Sequence, residues 1–154
     1  MPLSLKLRRY GYRLAHVGFR IWSFTVRPTI NGVKCVLTNE GRVLLVRHTY
    51  GSRGWDLPGG TGKRGEPPIE TARREMAEEL GVTLDSLADL GTFTGRIDRR
   101  RDAMHCFYAE IPDRELKLDL AEIDEARWFM RDQLPASTGR HARRILALLD
   151  NVTA

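Results

Sequence analysis

Glu75, Glu78 and Glu79 stand three and four residues apart within PPIETARREMAEELG, behind the arginines Arg73 and Arg74. Side chains at those separations lie on one side of a helix. Crowded carboxylates resist joint ionisation, so such a face is either solvated and answered by arginines or built to hold a cation. The preceding segment, LPGGTGKRGE, favours the cation, because glycines such as Gly59 and Gly60 let backbone approach a ligand closely. An oxygen-only site with open positions suits Mg²⁺ or Mn²⁺, which keep several waters and bridge substrate phosphates.

The element carrying these groups is legible locally. Pro67-Pro68 opens a helix, since proline in the first turn gives up a donor that would be orphaned there anyway. Gly81 supplies the C-terminal stop. Ile69, Ala72, Met76 and Leu80 recur at helical spacing as a core-facing stripe.

Residues 60–82 run Gly60, five residues, Glu66, seven residues, Arg74-Glu75, Met76, any residue, Glu78-Glu79, any residue, Gly81, Val82. This pattern resembles the complete Nudix box of the MutT-like hydrolases. The resemblance implies an α/β fold, an α/β/α sandwich with a mixed sheet, in which the box forms a loop–helix–loop. Carried over by position, it makes Glu75, Glu78 and Glu79 metal ligands, with the Gly59 carbonyl as a further one. Arg74 would orient Glu75, Glu66 would support the loop, and Gly60 would border the substrate. The implied reaction is attack of water on a pyrophosphate phosphorus in a nucleoside diphosphate-linked substrate. Metal ions would neutralise phosphate oxygens and activate the water. The general base is either Glu79 or a glutamate of a later loop, where AEIDEARWF offers Glu122 and Glu125, with Glu122 ranked first.

Around the box, residues 33–48 read as two strands joined at Asn39-Glu40-Gly41. Arg47 ends the second strand, as a phosphate contact or an ordinary strand-end charge, and Trp55 packs under the loop. Leu90–Ile97 and Met104–Ile111 read as strands flanking the basic connection Arg96–Arg101. Arg99 at its tip either is solvated or meets phosphates of a nucleotide or RNA. Residues 139–150 form a short helix with Ile145, Leu146, Leu148 and Leu149 inward. Two substrate-class markers, a proline about sixteen residues past the box and a tyrosine in the same window, are absent, with Ile97, Asp98, Arg99 and Arg100 standing there. Their absence argues for a nucleoside triphosphate or another small nucleotide. An RNA 5′-end pyrophosphohydrolase is the alternative, and a catalytically silent nucleotide sensor is a reading of another class that the retained glutamates disfavour.

Of 154 residues 42% are hydrophobic, enough for one catalytic body, assigned to 29–154, behind a helix at 1–28. Seven of the 25 basic residues precede Glu40, the first acid, leaving 18 against all 20 acidic ones in the remainder. Leu3, Leu7, Tyr10, Leu14, Val17, Ile21 and Phe24 form a heptad-like stripe, with Leu5, Tyr12 and Phe19 on nearly the opposite side. A helix apolar on two sides needs two covers. One is its own domain. The other is a second subunit or a membrane surface, and a transit peptide is a third reading. Arg and His recurring throughout exclude a transmembrane helix or secretory signal there. Pro28–Gly32 is the natural joint. Cys35 and Cys106, both in expected strands and without metal spacing, read as buried reduced thiols of a cytoplasmic protein.

Overall fold

A computed structural model describes residues 3–26, 31–97, 100–112 and 115–152. Most of the joint expected at Pro28–Gly32 and the tip residue Arg99 lie outside them.

The chain folds as helix α1 (Leu3–Val26), strands β1 (Asn31–Asn39) and β2 (Arg42–His48), and helix α2 (Pro68–Leu80). Strands β3 (Ala88–Ile97), β4 (Arg100–Glu110) and β5 (Ile123–Met130) follow, and helix α3 (Arg140–Val152) closes it. The five strands form one sheet in the order β3-β4-β1-β2-β5. β1 and β4 run parallel while the other neighbours are antiparallel, so the sheet is mixed.

Alternation along the central strands splits the core in two. Val33, Cys35, Leu37, Leu44 and Val46 pack with Ala72, Met76 and Leu80 of α2 on one face. Val36, Val43 and Leu45 pack with Trp55, Leu57, Ile145, Leu146 and Leu149 of α3 on the other. This is the expected α/β/α arrangement. Both cysteines are buried and free. The β1–β2 turn falls at Glu40-Gly41, both with positive φ, as expected. Two assignments differ: the connection expected at Arg96–Arg101 is largely strand, with Arg96 of β3 opposite Arg101 of β4. Glu125, expected in a loop, is inside β5, opposite Arg47 of β2.

Helix α1 seats its narrower line on the body. Leu5, Arg9, Tyr12 and His16 are partly covered, whereas Leu7, Tyr10, Leu14 and Val17 of the longer stripe are 73%, 63%, 72% and 53% exposed. Polar partners hold it there: Arg8 pairs with Asp119 at 3.0 Å and Arg9 with Asp124 at 3.2 Å. Arg9 also donates to the Leu120 carbonyl, and Arg13 to that of Thr49. No helix among the described residues is long and apolar enough to cross a membrane.

Candidate active site

Helix α2 begins after Pro67, which is extended (φ −61°, ψ 143°), and ends on left-handed Gly81 (φ 66°), whose N–H returns to the Ala77 carbonyl. Between those caps the glutamates grade from core to solvent. At roughly 100° per residue, Glu79 lies about 60° around the helix from the core residue Met76, Glu75 about 100° and Glu78 about 160°. Burial follows that order: Glu79 is 2% exposed and Glu75 8%, while Glu78 lies at the surface.

The three glutamates thus sit at different depths on the helix. Among the described residues no three His, Cys, Asp or Glu side chains converge to hold a metal ion. Instead Arg74 straddles the group, donating to Glu75 at 2.8 Å and to Glu78 at 3.1 Å. Arg74 is itself gripped by both oxygens of Glu66, at 2.8 and 2.9 Å. Glu66 further accepts from the Lys63 N–H and the Thr71 hydroxyl. Hydrogen bonding from Arg74, helped by the Lys63 N–H, lowers the Glu66 pKa to about 2. Glu66 thus ties loop to helix, the supporting position expected of it.

Gly59 and Gly60 make room for the carboxylates. Gly59 adopts φ 146°, and a Cβ there would sit 2.1 Å from the Val33 carbonyl oxygen. A Cβ on Gly60 would fall 2.4 Å from the carboxyl carbon of Glu75. The loop is stitched to β1 by the Val33 N–H on the Gly60 carbonyl and the Cys35 N–H on that of Pro58. The Gly59 N–H then donates to Glu79 at 3.0 Å.

Burial pushes Glu79 up to about 8, against opposing contributions from Lys34 and the Gly59 N–H, while the charges of Glu75 and Glu122 raise it further. Glu75 is also raised, by burial first and in part by Glu122. Glu122 is therefore close enough for its charge to act on both box glutamates. Backbone bonds put it there: the Asp119 N–H donates to the Glu79 carbonyl and the Glu122 N–H to the Asp119 carbonyl. Glu122 near the Tyr12 hydroxyl of α1, with burial, pushes that tyrosine's pKa up to about 12. Glu125, by contrast, is bound by Arg47 and Arg127.

Two buried, mutually repelling carboxylates with a third acid beside them form a donor set that a hard cation would relieve, so the residues present fit Mg²⁺ or Mn²⁺. Arg47 lies over the Trp55 ring, 5.0 Å from its centroid, and Trp55 packs edge-on against Phe129 at 4.8 Å. That is the packing role expected of Trp55.

Several neighbours were not legible in the sequence. Lys34 bonds Asp56 at 2.7 Å and the Leu57 carbonyl at 2.8 Å, and it counters the charge of Glu79. Tyr50 gathers the rings of Tyr12, His16 and His48 within 6.3 Å of its own. Burial and the charges of Glu122, Glu79 and Glu75 raise the Tyr50 pKa. Only strand alternation at Lys34 was available as a signal, and it says nothing of partners twenty or more residues away.

A family model described as the NUDIX domain matches residues 28–149. An oxidized purine nucleoside triphosphate hydrolase of Danio rerio is 34% identical over 108 residues, covering 66% of this chain and 67% of that protein. An ADP-ribose pyrophosphatase of Mycobacterium tuberculosis is 50% identical over 69 residues, which cover 40% of this chain but only 33% of its own length. The crystal structure of a MutT NUDIX hydrolase from Burkholderia pseudomallei superposes with a TM-score of 0.72 at 23% identity, covering 79% of this chain and 98% of the other.

Proposed function

The chain belongs to the Nudix family, whose reaction is hydrolysis of a nucleotide pyrophosphate bond, and on that premise we propose that it is a divalent-metal-dependent pyrophosphohydrolase of a nucleoside triphosphate or another small nucleotide. The observation carrying this reading is the pair of buried carboxylates Glu75 and Glu79, which feel the charge of Glu122 and lie behind a loop whose Gly59 and Gly60 leave no room for a side chain.

Glu75 and Glu79 would hold Mg²⁺ or Mn²⁺, with the Gly59 carbonyl and Glu78 as further oxygen ligands. A bound divalent ion supplies charge neutralisation at the phosphates and a lowered pKa for the attacking water. Arg74 keeps Glu75 in one rotamer and is fixed by Glu66. Glu122, free of any arginine among the described contacts, is better suited than Glu125 to take the proton of water, with Glu79 as the other candidate. Gly60 and Arg47 border the substrate. Arg99, outside the described residues, is kept as a phosphate contact from its sequence position alone. The small-nucleotide preference is supported by the name of the Danio rerio relative and by the absent subfamily markers.

The test is phosphate and pyrophosphate release, with Mg²⁺ or Mn²⁺, from nucleoside triphosphates, oxidised ones included, ADP-ribose, nucleotide sugars and triphosphate-ended RNA. Glu79→Gln should lower turnover by about a hundredfold or more, as loss of a group acting on transition-state charge does, while the melting transition persists. Undiminished turnover in that variant would refute the assignment. Silence of the wild type across the panel would move the chain to the binding-only reading.

A further inference from the structure

A cavity of about 340 Å³ lies between α1 and the end of β2, lined by Arg9 and Arg13 from the helix and by Arg47, His48 and Arg53 from the body. Asp124 is the one acid in the lining, and it is engaged by Arg9. Arg13 spends its Nε on the Thr49 carbonyl, and no acid partner of Arg13 or Arg53 occurs among the described contacts. Four guanidinium groups thus line a confined space; Arg9 and Arg47 are answered by Asp124 and Glu125, which leaves Arg13 and Arg53 without an acid among the described contacts.

Two orphaned atoms point the same way. Among the described residues, three buried side-chain polar atoms have no hydrogen-bond partner, and two of them, Arg47 Nε and His48 Nδ1, are on residues that line this cavity. Buried polar atoms left unpaired in a folded protein call for a ligand or water. Neighbouring strand residues should point to opposite faces, but the β2–β5 register shifts between Arg47 and His48, beside the cavity that both line. A bulge re-aims side chains in this manner.

The cavity adjoins the carboxylate cluster. Tyr50 packs on His48 of the cavity wall and on Tyr12, and the N–H of Thr49, also in the lining, donates to the Glu122 carbonyl.

We propose that this arginine cavity is a phosphoanion subsite in which the N-terminal helix supplies Arg9 and Arg13, making α1 a wall of the substrate site. It rests on the hydrolase reading above and adds to it where the non-scissile phosphates sit. Planar guanidinium forks suit phosphate oxygens, and a pyrophosphate held beside the glutamates would leave the rest of an anionic chain needing cover.

Inorganic tripolyphosphate, titrated calorimetrically into the full chain without divalent metal, tests the subsite. Arg13→Gln should bind about tenfold more weakly, as expected for loss of one charge-assisted contact, and Arg9→Gln comparably. Arg13→Lys should recover part of the affinity. Arg8→Gln cuts another tether of α1, to Asp119, without removing a cavity residue, and should bind as the wild type does. Equal affinity in wild type and Arg13→Gln overturns the proposal. So does an Arg8→Gln loss as large as that of Arg13→Gln, because binding would then follow helix seating and not contact. Glu79→Gln should keep tripolyphosphate binding while losing turnover, so the subsite and the catalytic reading fail separately. In steady state Arg13→Gln should raise KM for the nucleotide with kcat retained.

Discussion

Glu79 and His48 are ionisable side chains held where ionisation is disfavoured, with opposite consequences. Burial raises the Glu79 pKa to about 8 and lowers that of His48 to about 4, the latter also through Lys34 and against Asp56. For His48 the sign is fixed by the unfolded chain, whose histidine binds a proton near pH 6.5. As pH falls from about 6.5 towards 4, the unfolded state is protonated first, so stability present above pH 6.5 is lost through that window. The loss is roughly 3 kcal/mol at most for a shift of this size. His48→Gln should flatten that part of the profile, read by urea unfolding at pH 7 and pH 4.5. An unchanged difference between the two pH values would show that His48 is not its source. Glu66 behaves conventionally: its pKa is lowered chiefly by Arg74, so its contribution is present above the unfolded carboxylate pKa and fades as pH falls towards about 2.

At the scale of elements, the site depends on one crossing, where the loop before α2 passes over β1. Gly59 holds a positive φ with its α-carbon against the Val33 carbonyl, and its N–H reaches Glu79. Gly59→Ala would combine strained backbone with a clash against main chain that has no room to yield. A loss of about 2 kcal/mol or more follows, visible as a lowered Tm, and turnover should fall with it through displacement of Glu79. A Tm within a degree of the wild type would mean the loop tolerates a side chain there. The helix itself was readable from its prolines, its glycine stop and its stripe of Ala72, Met76 and Leu80. Even the outward turn of Glu78 follows from counting around the helix from Met76. The strand assignment of Glu125 was not readable, because a polar residue facing an arginine across two strands leaves no local signature.

For the whole molecule, the open question is the outer side of α1. Leu7, Tyr10, Leu14 and Val17 are exposed on the single chain, a continuous apolar stripe beyond the inner contacts of Tyr12 and His16. Substitutions at positions touching nothing cost within about 0.5 kcal/mol. Leu7→Gln with Leu14→Gln should therefore leave the Tm of dilute protein unchanged. Melting at several protein concentrations is the check. A concentration-dependent Tm that the double variant abolishes would show that a second copy covers the stripe. The tethers of α1 to Asp119, Asp124 and the Thr49 carbonyl are surface bonds of small individual worth.

What the sequence by itself determined was the local chemistry: a capped helix with acids at helical spacing, glycines ahead of it, strands on either side and the family they resemble. Those features depend on residues within a turn or a loop of one another, where spacing is geometry. Tertiary structure alone decided the rest. It selected which of two apolar lines on α1 faces the body, because the deciding partners of Arg8 and Arg9 lie 111 and 115 residues away. It brought Glu122 to Glu79, bound Glu125 to Arg47, and gathered arginines of α1 and of the chain at and beyond the end of β2 around one cavity. Contacts of that range are set by strand order and packing, which no periodicity along the chain encodes.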